Sequence, residues 1–544
     1  MCAKAAAFKN LGRGYPEGTG PASVRRKHPW FGFSRQPWTR DDRVLTSPHH
    51  RIILYPFVVG DAPVSGARVR IRWRAEIPAA YLGFFLERGE LFALKHTGNF
   101  VEGPILSPLL RFTLPVLLAL FLQAMYGAVD LAVVGQFGQP ADVSAVSTGS
   151  QVMHTVTCLV TGLSVGATVL LGQKLGEGKS AEGGQVLGSA IALFGAVALA
   201  LTAVIMAAAS PLSALMRAPA EAFTQTVAYV RICAGGAVFI VAYNVLGAMF
   251  RGIGDSKTPL LTVFIACVVN IAGDLLLVGV FRLGVAGAAL ATVLAQAVSV
   301  ALSLLFTARR GLPFAFSRRD IRMNPQYVGH ILRLGIPVAL QSVLVNISFL
   351  AITAIVNGLG VIASAGVGVA EKLCSFIMLV PSAFGQSLSA FVAQNIGAGR
   401  RDRAKKATFY GMGASLCCGV VLAWLSFFHG SLLAGLFARD AEVIGAAADY
   451  LRAYAIDTLL TSILFCFIGY FNGRGNTTFV MAQGIAGAFL VRIPVSLAMS
   501  RLEPVSLFRV GLATPCSTLV QIVLFAGYYA LTAARDRRLE AQEL

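Results

Sequence analysis

Charge is what this chain has least of. Only 13% of its 544 residues are Asp, Glu, Lys or Arg, about half the share of an ordinary soluble domain. A solvated globular fold is therefore excluded for most of its length. Acids are the scarcer sign, 26 against 45 bases. The net charge of +19 would suggest nucleic acid in a soluble protein. Here the bases sit in short segments between apolar runs, where they set topology, so no nucleic-acid partner is expected. The nine cysteines form no C-x-x-C pair and eight fall in apolar runs, which argues against disulfides and metal clusters. No G-x-x-x-x-G-K-S/T stretch occurs, so ATP does not drive this chain from within. With no His/Asp/Glu cluster at metal-ligand spacing either, an enzyme is not expected, nor any cofactor.

Apolar sequence dominates instead: 56% of the residues are hydrophobic and 56 are glycine, a residue that lets membrane helices approach closely. Twelve runs are long enough to cross a bilayer: 110–135, 143–171, 185–209, 228–250, 259–281, 285–307, 331–356, 362–391, 408–430, 450–471, 477–499 and 508–533. The expected fold is an all-α membrane protein of twelve transmembrane helices. With the N-terminus inside, loops on one side carry eighteen Lys or Arg residues and those on the other carry five. That bias predicts both termini in the cytosol and a multi-pass protein of the plasma (inner) membrane, in contact with lipid.

Residues 1–102 read differently. The first hundred hold 16 of the bases, three of the four Trp and four of the seven His, with no membrane-length run and no signal-peptide core. IILYPFVVG (52–60) is a strand candidate without successors. A basic arm on anionic lipid is one reading. The favoured one is a basic, disordered or non-native extension that packs loosely on the bundle.

The second half repeats the first at a spacing of 221 or 222 residues. LRFTLPV (110–116) returns as LRLGIPV (332–338), GQKLGEG (172–178) as AQNIGAG (393–399), and FRGIG (250–254) as FNGRG (471–475). Six spans per repeat predict two six-helix bundles related by a pseudo-twofold axis along the membrane normal, with a cavity between them. The bundles are 103–307 and 331–533, joined by an Arg-rich tether, 308–330, and followed by a tail, 534–544. D-x-x-x-V-G (Asp130–Gly135), Q-x-x-G-x-G after span two, G-x-G-D-x-K-T-P (Gly252–Pro259) and N-x-x-x-D in span five resemble the multidrug and toxin extrusion (MATE) family, in its DinF-like prokaryotic branch. The resemblance covers residues 103–533. It implies a monomeric secondary antiporter that exports cationic or amphiphilic drug-like compounds in exchange for H⁺ or Na⁺ by alternating access.

The polar residues inside the spans give the same direction. Asn270 and Asp274 lie four apart on one face of span five, and a carboxyl group inside a span needs a partner or water. Counting about 1.5 Å per residue, Asp130, Asp274 and Thr292 reach one level roughly 8–11 Å below the outer surface, and Asn244 lies deeper. The resemblance implies that Asp130, Asn244, Asn270, Asp274 and Thr292 carry the coupling ion. Oxygen ligands at Asn270 and Asp274 suit Na⁺, and burial disfavours a carboxyl group's charged form, which suits a proton. Glu371, Gln341, Asn346 and Gln386 are candidates for the substrate cavity, with Glu371 attracting a cationic drug and Lys372 snorkelling. Asp457, seven residues into span ten, is expected near the surface, and His154 is expected to be packed. A flippase for a lipid-linked or polyisoprenoid-linked substrate is the alternative. It wants a cationic cavity, whereas the charges noted within spans (Asp130, Asp274, Glu371) are mainly acidic.

Overall fold

A computed structural model describes residues 100–543; the expectations for the extension before residue 100 lie outside the described residues. In chain order the helices are α1 (Leu106–Phe137), α2 (Pro140–Gly176), α3 (Ser180–Leu215), α4 (Ala220–Gly235), α5 (Ala237–Ile253), α6 (Lys257–Asp274) and α7 (Gly284–Arg310), which form the first lobe. The second lobe holds α8 (Pro325–Asn357), α9 (Val361–Ile377), α10 (Leu379–Gly397), α11 (Arg401–Phe428), the short α12 (Gly430–Ala434), α13 (Ala441–Arg474), α14 (Thr477–Ala486), α15 (Ile493–Ser500), the short α16 (Leu507–Gly511) and α17 (Ala513–Glu543). No strand occurs among the described residues. Among the described residues, eleven helical segments are long and apolar enough to cross a membrane, and α4 with α5, bent by 55°, makes a twelfth. That bend at Gly236 and the division of span eight into α9 and α10 are absent from the apolar pattern.

Local chemistry sets the ends. Pro140 opens α2 behind a reciprocal Gln139–Asp142 cap, Asn324 caps α8 at Gln326 N, and Asp440 caps α13 at Glu442 N and Val443 N. Gly254 (φ 90°) closes α5 and Gly475 (φ 89°) closes α13 in the left-handed region, where a Cβ is penalised. They stand 221 residues apart. The same interval separates Gly178 and Gly399, both at φ 71°. Each lobe also breaks one span with a π-helical turn, Leu275–Val280 after α6 and Gly487–Arg492 between α14 and α15. The repeat is therefore structural as well as sequential.

The lobes share apolar cores at one end, the end that carries the basic loops. There a shared apolar core joins Val160, Leu170 and Leu171 of α2 to Ile331 and Leu334 of α8. Another joins Phe112 and Val116 of α1 to Phe384, Leu388 and Phe391 of α10. The clusters at the opposite end each belong to a single lobe. Glycines make the approach possible: a methyl on Gly166 meets Ile331 O, one on Gly176 meets Gln394 O, and one on Gly397 meets Gln173 O. Gln173 donates to Gly473 O at 3.1 Å and Gln394 to Gly252 O at 2.9 Å. Both pairs are again related by 221 residues, so the pseudo-twofold axis runs between them.

Three expectations change here. Residues 100–102 do not belong to a loosely packed extension. Phe100 is buried against the Phe112 and Phe391 rings, and Arg403 donates to the carbonyls of Phe100, Glu102, Gly103 and Pro104 at 2.7–3.2 Å. The linker between lobes is no free tether: Phe314 is buried on Gly183, and Ala315 and Asp320 lie over Gly184 and Gly188 of α3. Asp457 is 1% exposed, not near the surface, because α13 begins nine residues before the apolar run at Ala441.

Candidate functional site

In the first lobe, α1, α6 and α7 bring Asp130, Asn270, Asp274 and Thr292 together. Asp274 ends the regular part of its helix, directly before the π-helical turn, a distortion that frequently marks functional positions. Asp130 is 5% exposed, Asn270 1% and Asp274 0%. Thr292 donates to Asp130 Oδ2 at 3.1 Å, and Asp274 and Asn270 lie within interaction range of the same carboxyl group. Asp130 Oδ1, both Asp274 oxygens and both polar atoms of Asn270 have no hydrogen-bond partner among the described residues. Buried polar groups are otherwise nearly always paired. Two carboxyl groups that share such a site do not both stay charged unless a proton or cation joins them. The donor set of carboxylate, carboxamide and hydroxyl oxygens fits a hard monovalent cation, and the carboxyl pair alone fits a proton.

A small pocket adjoins the group, lined by Asn270 and Thr292 with Tyr126, Tyr243 and Gln296. The three aromatic and amide residues were not singled out from sequence; only their place inside apolar runs marked them. Asn244 does not join the cluster. It accepts from Thr161 at 3.1 Å, donates to Ile240 O at 2.8 Å, and lines a separate cleft of about 550 Å³ with Gln123, Arg251 and Ser256.

Of the substrate-cavity candidates, Gln386 lines that same cleft from the second lobe. Gln341 packs against Gly484 inside its own lobe. Asn346 is exposed on α8. Glu371 is half-buried and accepts from Thr353 at 3.3 Å within the lobe, so Lys372 is the member of the pair on the exposed side. His154 is exposed rather than packed.

The second lobe holds a different buried pair. Asp457 accepts from Thr518 at 2.6 Å and feels the charge of Arg492, which is 5% exposed at the end of the π-helical turn. Arg492 donates to Ser348 at 3.1 Å and stacks over Phe349 at 4.4 Å. Sequence reading passed over Arg492, although a lone base inside an apolar run was the available signal.

Two inverted-free, twofold-related six-helix lobes, closed on each other at one end and each holding buried ionisable groups, define a membrane transporter rather than an enzyme. Comparison with known proteins agrees. The MatE family model matches twice, at residues 115–276 and 337–498, each match beginning at the proline inside the first helix of its lobe. The chain is 26% identical to the probable multidrug resistance protein YoeA of Bacillus subtilis, over 77% of this chain and 92% of that protein. It is 24% identical to the multidrug export protein MepA of Staphylococcus saprophyticus, over 74% and 89%. A crystal structure of MATE in complex with MaL6 superposes with a TM-score of 0.77 at 19% identity, over 81% of this chain and all of that one. The chain belongs to the MatE family of membrane transporters.

Proposed function

We propose that this transporter is a secondary antiporter that exports amphiphilic, drug-like organic compounds in exchange for H⁺ or Na⁺. The reading rests on the carboxyl pair Asp130 and Asp274, buried with Asn270 and Thr292 and, among the described residues, in no ion pair with a basic side chain. The acid of the second lobe has Arg492 beside it; the pair in the first lobe has no such counter-charge. An acid already facing a base gains little from a cation, whereas two acids facing each other gain much. The relatives' names support multidrug export.

With the basic loops in the cytosol, the gap between the lobes opens outward. A cation entering from outside neutralises the carboxyl pair, Thr292 holds Asp130 in place, and Asn270 supplies an amide oxygen. The neutralised site tolerates exclusion of water, so the outer halves of the lobes close as the basic end parts. Release of the cation inside restores the like charges and favours the return. Cells that make the protein should retain less fluorescent dye than cells that lack it. Varying external Na⁺ and pH separately identifies the ion. Equal retention in both cell types under every gradient would refute export.

A further inference from the structure

The first lobe keeps one base turned inward. Arg251 stands three residues before Gly254, at the basic end of α5, yet it does not reach out to the headgroups. A methyl on Gly247, one turn earlier, would stand 3.4 Å from Arg251 Nη1, so the side chain runs back along its own helix instead of snorkelling. Its guanidinium borders the cleft that α1, α5, α6 and α7 enclose together with Gln386 of the second lobe. Among the described residues no carboxylate lines that cleft, and Arg251 makes no ion pair or hydrogen bond. Asp255, the nearest acid in sequence, is committed to the cap of α6. It accepts from Lys257 N and Thr258 N at 3.0 Å and from Thr258 Oγ1 at 2.6 Å, and Arg310 meets that same hydroxyl at 3.1 Å.

Four further side chains bring free donors to the same space. Ser256 is 5% exposed and Ser303 4%, and neither hydroxyl bonds elsewhere among the described residues. Tyr243 Oη accepts from Gln123, which leaves its own proton to give, and Gln386 offers its amide. The other polar walls are occupied: Asn244 pairs with Thr161 and Ile240 O, and Thr262 donates to Pro259 O. A guanidinium held among unfilled donors is costly unless an anion completes the set. Arg251 is the one base in the lining, so charge balance selects a single negative charge. We propose that this cleft binds one monovalent anion, a halide ion or a carboxylate group, on Arg251 with Ser256, Ser303, Tyr243 and Gln386. Because Gln386 comes from the other lobe, the site is whole only while the basic end is shut, and a bound anion steadies that sealed form. The binding step does not depend on the exporter reading.

Chloride is the probe, read on the purified full chain in detergent by the NMR line broadening of protein-bound chloride. The wild type should broaden the line, acetate should reverse the broadening, and sulfate at equal ionic strength should not. Arg251→Gln should weaken binding about tenfold or more, as loss of a charge-assisted contact gives, and Arg251→Lys should keep most of it. Ser303→Ala and Gln386→Ala should each weaken it about threefold. Broadening by the wild type no greater than by a folded Arg251→Gln overturns the site. Should Arg251→Gln fail to fold, binding unchanged in both Ser303→Ala and Gln386→Ala overturns it equally. Sulfate that competes as well as acetate overturns the single-charge assignment. Chloride should also slow thiol labelling of a cysteine placed at Gly172, on the lobe contact, and labelling at one rate with and without chloride overturns the link to the seal. Anion binding without dye efflux refutes export alone, and efflux without anion binding refutes this site alone.

Discussion

Asp274→Asn isolates coupling from packing. Asp274 has no exposed surface, and neither of its oxygens has a hydrogen-bond partner among the described residues, so a carboxamide of the same shape displaces nothing. Stability should change by about 1 kcal/mol or less. The functional change is far larger. One pH unit across the membrane supplies about 1.4 kcal/mol per proton, and a tenfold Na⁺ gradient supplies the same, enough for a one-for-one exchanger to hold a dye at about a tenfold concentration ratio. A side chain that neither ionises nor titrates removes this entirely, and the ratio should fall to one. Asp130→Asn still accepts from Thr292 but breaks the carboxyl pair, so efflux should drop about tenfold or more. Asp457→Asn should keep coupled efflux, because the Thr518 bond survives, and lower stability by about 1–3 kcal/mol as Arg492 loses a buried counter-charge. The assay is dye uptake into proteoliposomes under an imposed pH or Na⁺ gradient, normalised to inserted protein. An Asp274→Asn protein that still concentrates dye against a gradient refutes the coupling site.

Removing both inter-lobe amides, Gln173→Ala with Gln394→Ala, should destabilise the closed basic end by about 1–3 kcal/mol. Faster thiol labelling of a cysteine introduced at Gly172, at the same lobe contact, reads the change. Deleting residues 1–99 should leave the melting temperature in detergent unchanged. Deleting 1–104, or replacing Arg403 by Ala, should lower stability by about 2–3 kcal/mol through loss of its bonds to four carbonyls. Asp536 is buried between Arg474 at 2.7 Å, Arg401 at 3.4 Å and Lys405 at 4.0 Å. Asp536→Ala should destabilise by about 3 kcal/mol, read by thermal unfolding, because Arg474 and Arg401 are left without their acid while Lys405 keeps Asp402 at 3.2 Å.

The bundle was legible because its constraints are written in residue types with few substitutes. Gly254 and Gly475 hold backbone angles that other residues resist, so the repeat kept them in register. Asp274 of span five stood out because charge inside an apolar run is rare. What was hidden depended on where helices begin and bend. Asp457 was counted from residue 450, but Ala441–Asp449 is also helical and adds over two turns to its depth. Asn244 entered the set through the resemblance, although a straight count already put it deeper, and it lies in the half-span that follows the bend at Gly236. Glu371 and Lys372 are adjacent in sequence, about 100° apart on the helix; which one meets the gap is set by Thr353 on a neighbouring helix. Arg492 is sheltered by Ser348 and Phe349, which lie more than a hundred residues away.

Beside the shared apolar cores, the closest approaches at the basic end are made by main chain: glycines against carbonyls, and two glutamine amides exchanged across the axis onto glycine carbonyls. Such a seal contains no chemistry that distinguishes one cargo from another. Recognition along the gap and sealing at the basic end therefore fall to different residues. Substitutions that retune which compounds are accepted can accumulate along the gap without altering how tightly the membrane is sealed. A pump that must meet unfamiliar molecules gains breadth in this way without becoming leaky.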